Sequence, residues 1–166
     1  MAVARAPAHY GPDRVADDVD GRFDMLVLHL FFMIRRARVA GAAGAGLVQA
    51  LLDCFVRDMD NNLREMGAGD IGVAKRVKYM VHALNGQLHS YLTAADEGPA
   101  ALRAVLARTM FADQPAADAA AGRLAAYAGR QMDALGAATD VDLAAGRARM
   151  HEADDAYRAA AGERPA

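Results

Sequence analysis

Cysteine occurs once, at Cys54, so the chain has no internal disulfide and suits a reducing compartment. Net charge is also scarce. The 19 basic and 21 acidic residues leave −2, which excludes the basic footprint of a nucleic-acid binder and any polyacidic tail. The opening MAVARAPAHYGP lacks the apolar core of a signal peptide, and with only Arg5 and Arg14 near the start it makes a poor mitochondrial presequence. The reading is a cytoplasmic protein, and its wealth of alanine, glycine and arginine suggests a GC-rich bacterial gene. Long apolar runs are missing too: the run inside residues 21–38 is closed by Arg35 and Arg36 well short of the ~20 residues of a membrane span. There is no internal repeat, and no two-residue alternation long enough for a sheet, so the fold class is all-α.

What is present is organised around GRFDMLVLHLFFMIRRAR, residues 21–38. Between Asp24 and Arg35 its only polar side chain is His29, and apolar residues fall on every side of the helical wheel. Such a helix must be buried, which makes it the central element. Asp20 is placed to N-cap it, and Arg35, Arg36 and Arg38 suit the negative end of its dipole as a helix stop. The glycines of GAAGAG, residues 41–46, are then expected to break the helix, since each costs ~1 kcal/mol relative to alanine.

A second helix is expected over about 47–66, with Val48, Leu52, Phe55, Met59 and Leu63 as its buried stripe. Its outer face pairs Asp53 with Arg57 and Asp60 with Arg64 in the favourable i,i+4 order. Gly67, Ala68 and Gly69 form an exposed turn, and Asp70 caps a third helix over 71–93 that buries Val73, Val77, Val81, Leu84, Leu88 and Leu92. Lys75, Lys78, His82 and His89 collect on its other side beside Tyr79. The result is a charged αα-hairpin. Across it Glu65 is expected to meet Arg76, a partly exposed pair worth at most ~1 kcal/mol.

Beyond residue 93 large apolar residues thin out. Gly98 and Pro99 open a short helix carrying Leu102, Val105, Leu106 and Met110, and residues 113–115 start another with Leu124, Tyr127 and Leu135. Residues 141–160 have helix propensity but only Val141, Leu143, Met150 and Tyr157 to bury. The expected organisation is an irregular arm over 1–19, a helical domain over 20–135, and a weakly packed helix or tail over 136–166. These form one compact domain of about five to six helices.

Catalytic and metal constellations are absent from the pattern. His82 and His89 share a face but stand two turns, ~10 Å, apart, too far for one tetrahedral ion. No Glu-x-x-His or His-Glu-x-x-His occurs. A lone core histidine such as His29 more often donates to a backbone carbonyl than ligates a metal or haem. Acidic neighbours Asp53 and Asp58 disfavour a thiolate at Cys54, and Ser90 lacks a nucleophile elbow. The reading is a protein that is not an enzyme, with no cofactor and no metal.

The runs DGRFDMLVLHLFFMIRRAR (20–38) and DMDNNLREMGAGDIGVAKRVK (58–78), in that order along the chain with a helix between them, resemble the ubiquinol–cytochrome c chaperone family. The resemblance covers roughly residues 5–93 and is compositional beyond; it implies a further N-terminal helical segment in family members, of which the arm at residues 5–10 is the remnant. It implies a non-enzymatic assembly chaperone for the cytochrome bc1 complex that binds newly made cytochrome b or an early assembly intermediate. A small partner protein and peripheral association with the inner membrane are left open, and no nucleic-acid sequence is read. Mapped onto the matching motif, the binding residues it implies are Arg64, Glu65, Asp70, Lys75, Arg76, Lys78 and Tyr79. Capping and hairpin pairing explain Asp70, Glu65 and Arg76 as well; Lys75 and Lys78 point away from the apolar stripe and favour a binding role. The competing class is a haem-handling or membrane-surface-binding helical protein.

Overall fold

A helix with no polar face is stable only where other elements surround it, and that fixes the architecture. The computed structural model describes residues 2–65, 70–112, 114 and 117–160, with side chains at all of these except 42, 43, 70–74, 159 and 160. The first long helix, α1, spans Val19–Arg38. Nine of the ten residues from Met25 to Ile34 are buried, Met33 alone being half-buried. Around α1 pack α2 (Gly41–Glu65), α3 (Asp70–Glu97) and α5 (Ala117–Gly136), with α4 (Pro99–Met110) bridging α3 and α5. Two short helices, α6 (Asp140–Ala144) and α7 (Ala153–Ala160), follow among the described residues. The fold is all-α, and among the described residues strand-like pairing is limited to one bridge between Tyr10 and Val15. No helix among them is long and apolar enough to cross a membrane.

Two local expectations are corrected. The N-cap of α1 is Asp18, not Asp20: Asp18 is extended (φ −130°, ψ −177°) and its carboxylate accepts from the Gly21 amide at 2.8 Å, while Asp20 lies inside the first turn. The glycines of GAAGAG do not break a helix but begin one. The chain reverses at Val39 and Ala40, and Gly41, at φ +63°, takes the left-handed conformation that a side chain disfavours. A Cβ at Gly44 would overlap the carbonyl oxygen of Ala37, so glycine is needed for the close approach of α1 and α2. Tertiary contact outweighs the propensity cost.

The stripes fall as the spacing predicts at their centres only: Val48, Leu52 and Leu92 border an open groove and are half-buried, as are Val77 and Val81, and Val141 is exposed rather than buried. Phe55, Met59 and Leu63 of α2 and Leu84 and Leu88 of α3 are buried, as are Leu102, Val105, Leu106 and Met110 of α4 and Leu124, Tyr127 and Leu135 of α5. Val73 and the turn at 67–69 lie outside the described side chains. Of the two outer pairs on α2, Asp60–Arg64 forms at 2.7 Å, whereas Asp53 accepts from Gln49 at 2.8 Å instead of meeting Arg57. The alanine-rich half packs through small residues: Ala120, Ala121 and Ala128 are buried and let α5 approach its neighbours closely.

Where few large apolar residues follow residue 140, polar side chains supply the docking. The Gln131 amide donates to the His151 carbonyl at 2.9 Å and accepts from the His151 amide at 2.8 Å, pairing an irregular strand of chain with α5. Ala153 and Ala156 are buried, and the Tyr157 ring stacks on Tyr127 with centroids 4.8 Å apart. Arg36 has a structural task beyond ending a helix. It donates to the carbonyls of Leu135 (3.1 Å) and Ala138 (2.6 Å) and pairs with Asp140 at 2.7 Å, tying the end of α1 to the end of α5.

Candidate interaction surface

The residues singled out on the hairpin sit at its far end. Arg64 and Glu65 close α2 and are exposed; Lys75, Arg76, Lys78 and Tyr79 are exposed on α3, with Tyr79 at 75 %. Asp70 opens α3, and its side chain lies outside those described. Arg64 is ion-paired with Asp60. The expected Glu65–Arg76 pair does not form among the described residues: both side chains project into water, where such a pair gains little over hydration. Lys75, Lys78 and Tyr79 do share a solvent-facing side with His82 and His89.

Next to this hairpin lies a feature that the periodicity does not reveal. A groove of about 670 Å³ opens between the N-terminal arm, α1, α2 and α3. Phe23 and Leu26 of α1, Met59 and Leu63 of α2, and Met80 of α3 give it an apolar floor. Arg5, Tyr10 and Arg22 stand at its edge, with Arg22 held by Asp17 at 2.8 Å. Arg76 precedes Met80 by one helical turn and so lies on the groove side of α3, whereas Lys75 and Lys78 lie on the opposite side of that helix. Met59 and Leu63 read as core in the sequence because their spacing is that of a buried stripe. The signal for a groove was the use of methionine on both facing helices, a flexible apolar residue suited to surfaces that adapt.

The N-terminal arm forms one wall of that groove, and it is anchored by chemistry. It makes two single turns of 3-10 helix, Val3–Arg5 and Pro7–His9, and inserts His9 fully into the core. The His9 Nε2–H donates to the Val3 carbonyl at 2.8 Å, leaving Nδ1 to accept from the Tyr157 hydroxyl at 3.2 Å. Its ring meets His29 and Tyr127 edge-on at 5.2 and 5.1 Å. Arg14 covers the Tyr157 ring at 5.0 Å and donates to the Ala8 carbonyl. His29 behaves as a core histidine: because the Met25 carbonyl can only accept, Nδ1 carries the proton (2.7 Å), and Nε2 accepts from the Tyr127 hydroxyl at 2.7 Å. Both nitrogens are committed, so neither offers a lone pair to a metal or haem. Cys54 is exposed, and no cluster of metal-ligating side chains occurs among the described residues.

Burial sets the acid response of this cluster. It holds His29 down at about 3 and lowers His9 as well, so both are neutral in the folded protein. Both histidines bind protons more readily when unfolded, and the stability they lend is lost as pH falls below the unfolded value near 6.5. Asp24 works the other way. Burial raises its carboxyl to about 6 despite the Gln87 amide 2.6 Å away, so its contribution is present at low pH and lost as pH rises through 6. The two effects oppose each other between pH 7 and 5. Asp24→Asn is therefore expected to steepen the acid loss of stability over that range, to roughly 2 kcal/mol from His29 alone, with His9 adding to it. Urea unfolding midpoints of wild type and variant at pH 7 and 5 test this; parallel losses in the two proteins would show that Asp24 is not protonated on acidification.

The comparisons with known proteins now decide what kind of protein carries this surface. The ubiquinol-cytochrome C chaperone profile matches residues 14–150, most of the chain. The chain belongs to this family. Among solved structures it is similar to the Cbp3 homolog from Brucella abortus, at 35 % identity with a TM-score of 0.79, covering 92 % of this chain and 84 % of that one. No curated protein matches. The family match extends well past residue 93, where the sequence alone gave only a compositional likeness, and takes in α4, α5 and α6. The ubiquinol-cytochrome C chaperone fold thus includes the alanine-rich half that buries His29 and Tyr127.

Proposed function

We propose that this protein is a non-enzymatic assembly chaperone for the cytochrome bc1 complex, holding newly made cytochrome b before it joins the complex at the inner membrane. The observation that carries the reading is the groove beside the hairpin: an open apolar floor with arginines at its edge, next to a helix whose outer side is basic. A membrane protein outside the bilayer exposes apolar helices and charged loops together. A surface that offers both contacts, on a floor with adaptable methionines, holds such a segment without chemistry. In this reading Lys75, Lys78, Arg76 and Tyr79 meet the client's polar segment. Arg64, paired with Asp60, lies at the end of α2 that leads to the helix presenting them. The commitment of both nitrogens of His29 and of His9 to internal hydrogen bonds supports a binding rather than a catalytic or haem-carrying protein.

Affinity capture of the tagged protein from native membranes is expected to enrich cytochrome b. Deleting the gene is expected to lower assembled bc1 complex while transcription of the cytochrome b gene continues. Wild-type amounts of spectrally normal cytochrome b in the deletion strain would refute the proposal.

A further inference from the structure

The N-terminal arm keeps its place with little apolar burial. Of residues 2–18 only Ala4, His9 and Val15 are buried, and His9 alone among them is polar. The other ties are hydrogen bonds to the arm's backbone, from Gln114 to the Arg14 carbonyl at 3.2 Å and from Arg123 to the Asp13 carbonyl, and the cover of Arg14 over Tyr157. His9 is therefore the hook. The titratable and charged groups that face it are Tyr10 and Arg14 from the arm, His29 from α1, Tyr127 from α5, and Asp154 and Tyr157 from α7. Burial first, and then Arg14, oppose a second proton on its ring, while the Val3 carbonyl and Asp154 favour one. The seated ring has to be neutral, because Nε2–H is given to Val3 and Nδ1 must keep its lone pair for the Tyr157 hydroxyl. His29 has no free nitrogen to help, since Met25 and Tyr127 take both.

From this arrangement we infer that the arm is a proton-operated gate on the groove, seated while His9 is neutral and released over residues 2–15 when His9 takes a second proton. Release is local because peeling two single turns of 3-10 helix returns the His9 ring to water, whereas His29 reaches water only if α1 opens. The turn that lets the arm swing stands between His9 and α1, with Gly11 at φ +125° and Asp13 at φ +56°. Asp17 stays paired with Arg22 and Asp18 stays on the cap of α1, so the central helix is untouched. Release takes Arg5, Pro7, Tyr10 and Gly11 out of the groove wall and leaves the floor of α1, α2 and α3 open on one side, which frees a segment held there. This last step rests on the reading of the groove as the client surface; the gate itself does not. The sign follows from where the proton binds better. A released His9 titrates near 6.5 and a seated one lower, so acid favours release, by up to about 25-fold between pH 7 and 5.

Amide hydrogen exchange of the full-length protein between pH 7 and 5, with the intrinsic rates divided out, tests the gate at Val15. Its amide donates to the His9 carbonyl at 3.1 Å, so it is exposed when His9 leaves. In the wild type Val15 is expected to open more readily than the buried Phe32 of α1 at every pH, with an opening equilibrium that climbs by up to about 25-fold from pH 7 to 5. His9→Gln offers Val3 a donor and Tyr157 an acceptor without titrating, and is expected to hold that equilibrium flat. Opening of Val15 only together with Phe32, or no rise with acid, would overturn the gate on the wild type alone, whether or not the variant folds; an equal rise in a folded His9→Gln protein would do the same. Capture of cytochrome b from native membranes is then compared at the two pH values. It is expected to fall at pH 5 for the wild type and to hold for His9→Gln, and an equal fall in both proteins would sever release from the groove. Failure to capture cytochrome b at pH 7 would instead refute the proposed function, with the exchange of Val15 still deciding the gate.

Discussion

Phe31→Ala is expected to destabilise the protein by ~3 to 5 kcal/mol, a large share of the ~5 to 15 kcal/mol that holds a domain folded. The ring is fully buried on the central helix, packed against Phe32 at 5.4 Å and Tyr91 at 5.7 Å between centroids. Truncation forfeits the ring's burial and leaves a cavity. Tyr91 and Phe32 are themselves fully buried and have little freedom to close it. The Tyr91 hydroxyl is further held by Thr109 at 3.2 Å. Phe23 offers the contrast: it lies on the same helix and meets Phe55 at 6.0 Å, but it is half-buried at the groove, so Phe23→Ala should cost appreciably less. Urea denaturation of the two variants measures both. Equal losses, or an unchanged midpoint for Phe31→Ala, would show that α1 is not the packing centre.

That α1 is central was legible in the sequence because an all-round apolar helix admits one solution in water. The stripes of α2 to α5 were legible for a related reason, since period and burial have the same cause. What the pattern did not carry was close contact. Gly44 reads as a helix breaker until Ala37 is seen against it, and Arg36 reads as a dipole cap until the carbonyls of Leu135 and Ala138 are brought to it by α5. His9, in a segment with no periodicity, gave no sign of its place in the core, because a buried polar residue is recognised by its partners. Those partners, Tyr157 and His29, are remote in the chain. The hairpin was legible as charged and exposed, but the groove beside it was not, since its wall is the same irregular arm.

Reversing two charges on that hairpin, Lys75→Glu with Lys78→Glu, is expected to leave the protein folded and abolish its support of bc1 assembly. Both side chains are exposed on α3, and neither enters a hydrogen bond or ion pair with any described residue. Substitutions at such positions usually change stability by no more than ~0.5 kcal/mol. Binding is far more sensitive. Interface charges set the rate of encounter and the choice of partner, and like charges brought together can cost several kcal/mol. In the proposed role, capture of cytochrome b from membranes by the wild-type protein should weaken as salt is raised, because exposed charges are screened beyond ~8 Å at physiological ionic strength. The double variant should bind weakly at every salt concentration. Glu65→Lys is the control: with no partner for Glu65 among the described residues, it adds positive charge at the hairpin end and should leave both the melting midpoint and client capture intact. A folded, fully active lysine double variant would mean that the basic face is only solvated and that the client is held by the groove alone. An unfolded one would make Lys75 and Lys78 structural and remove the hairpin from the binding surface.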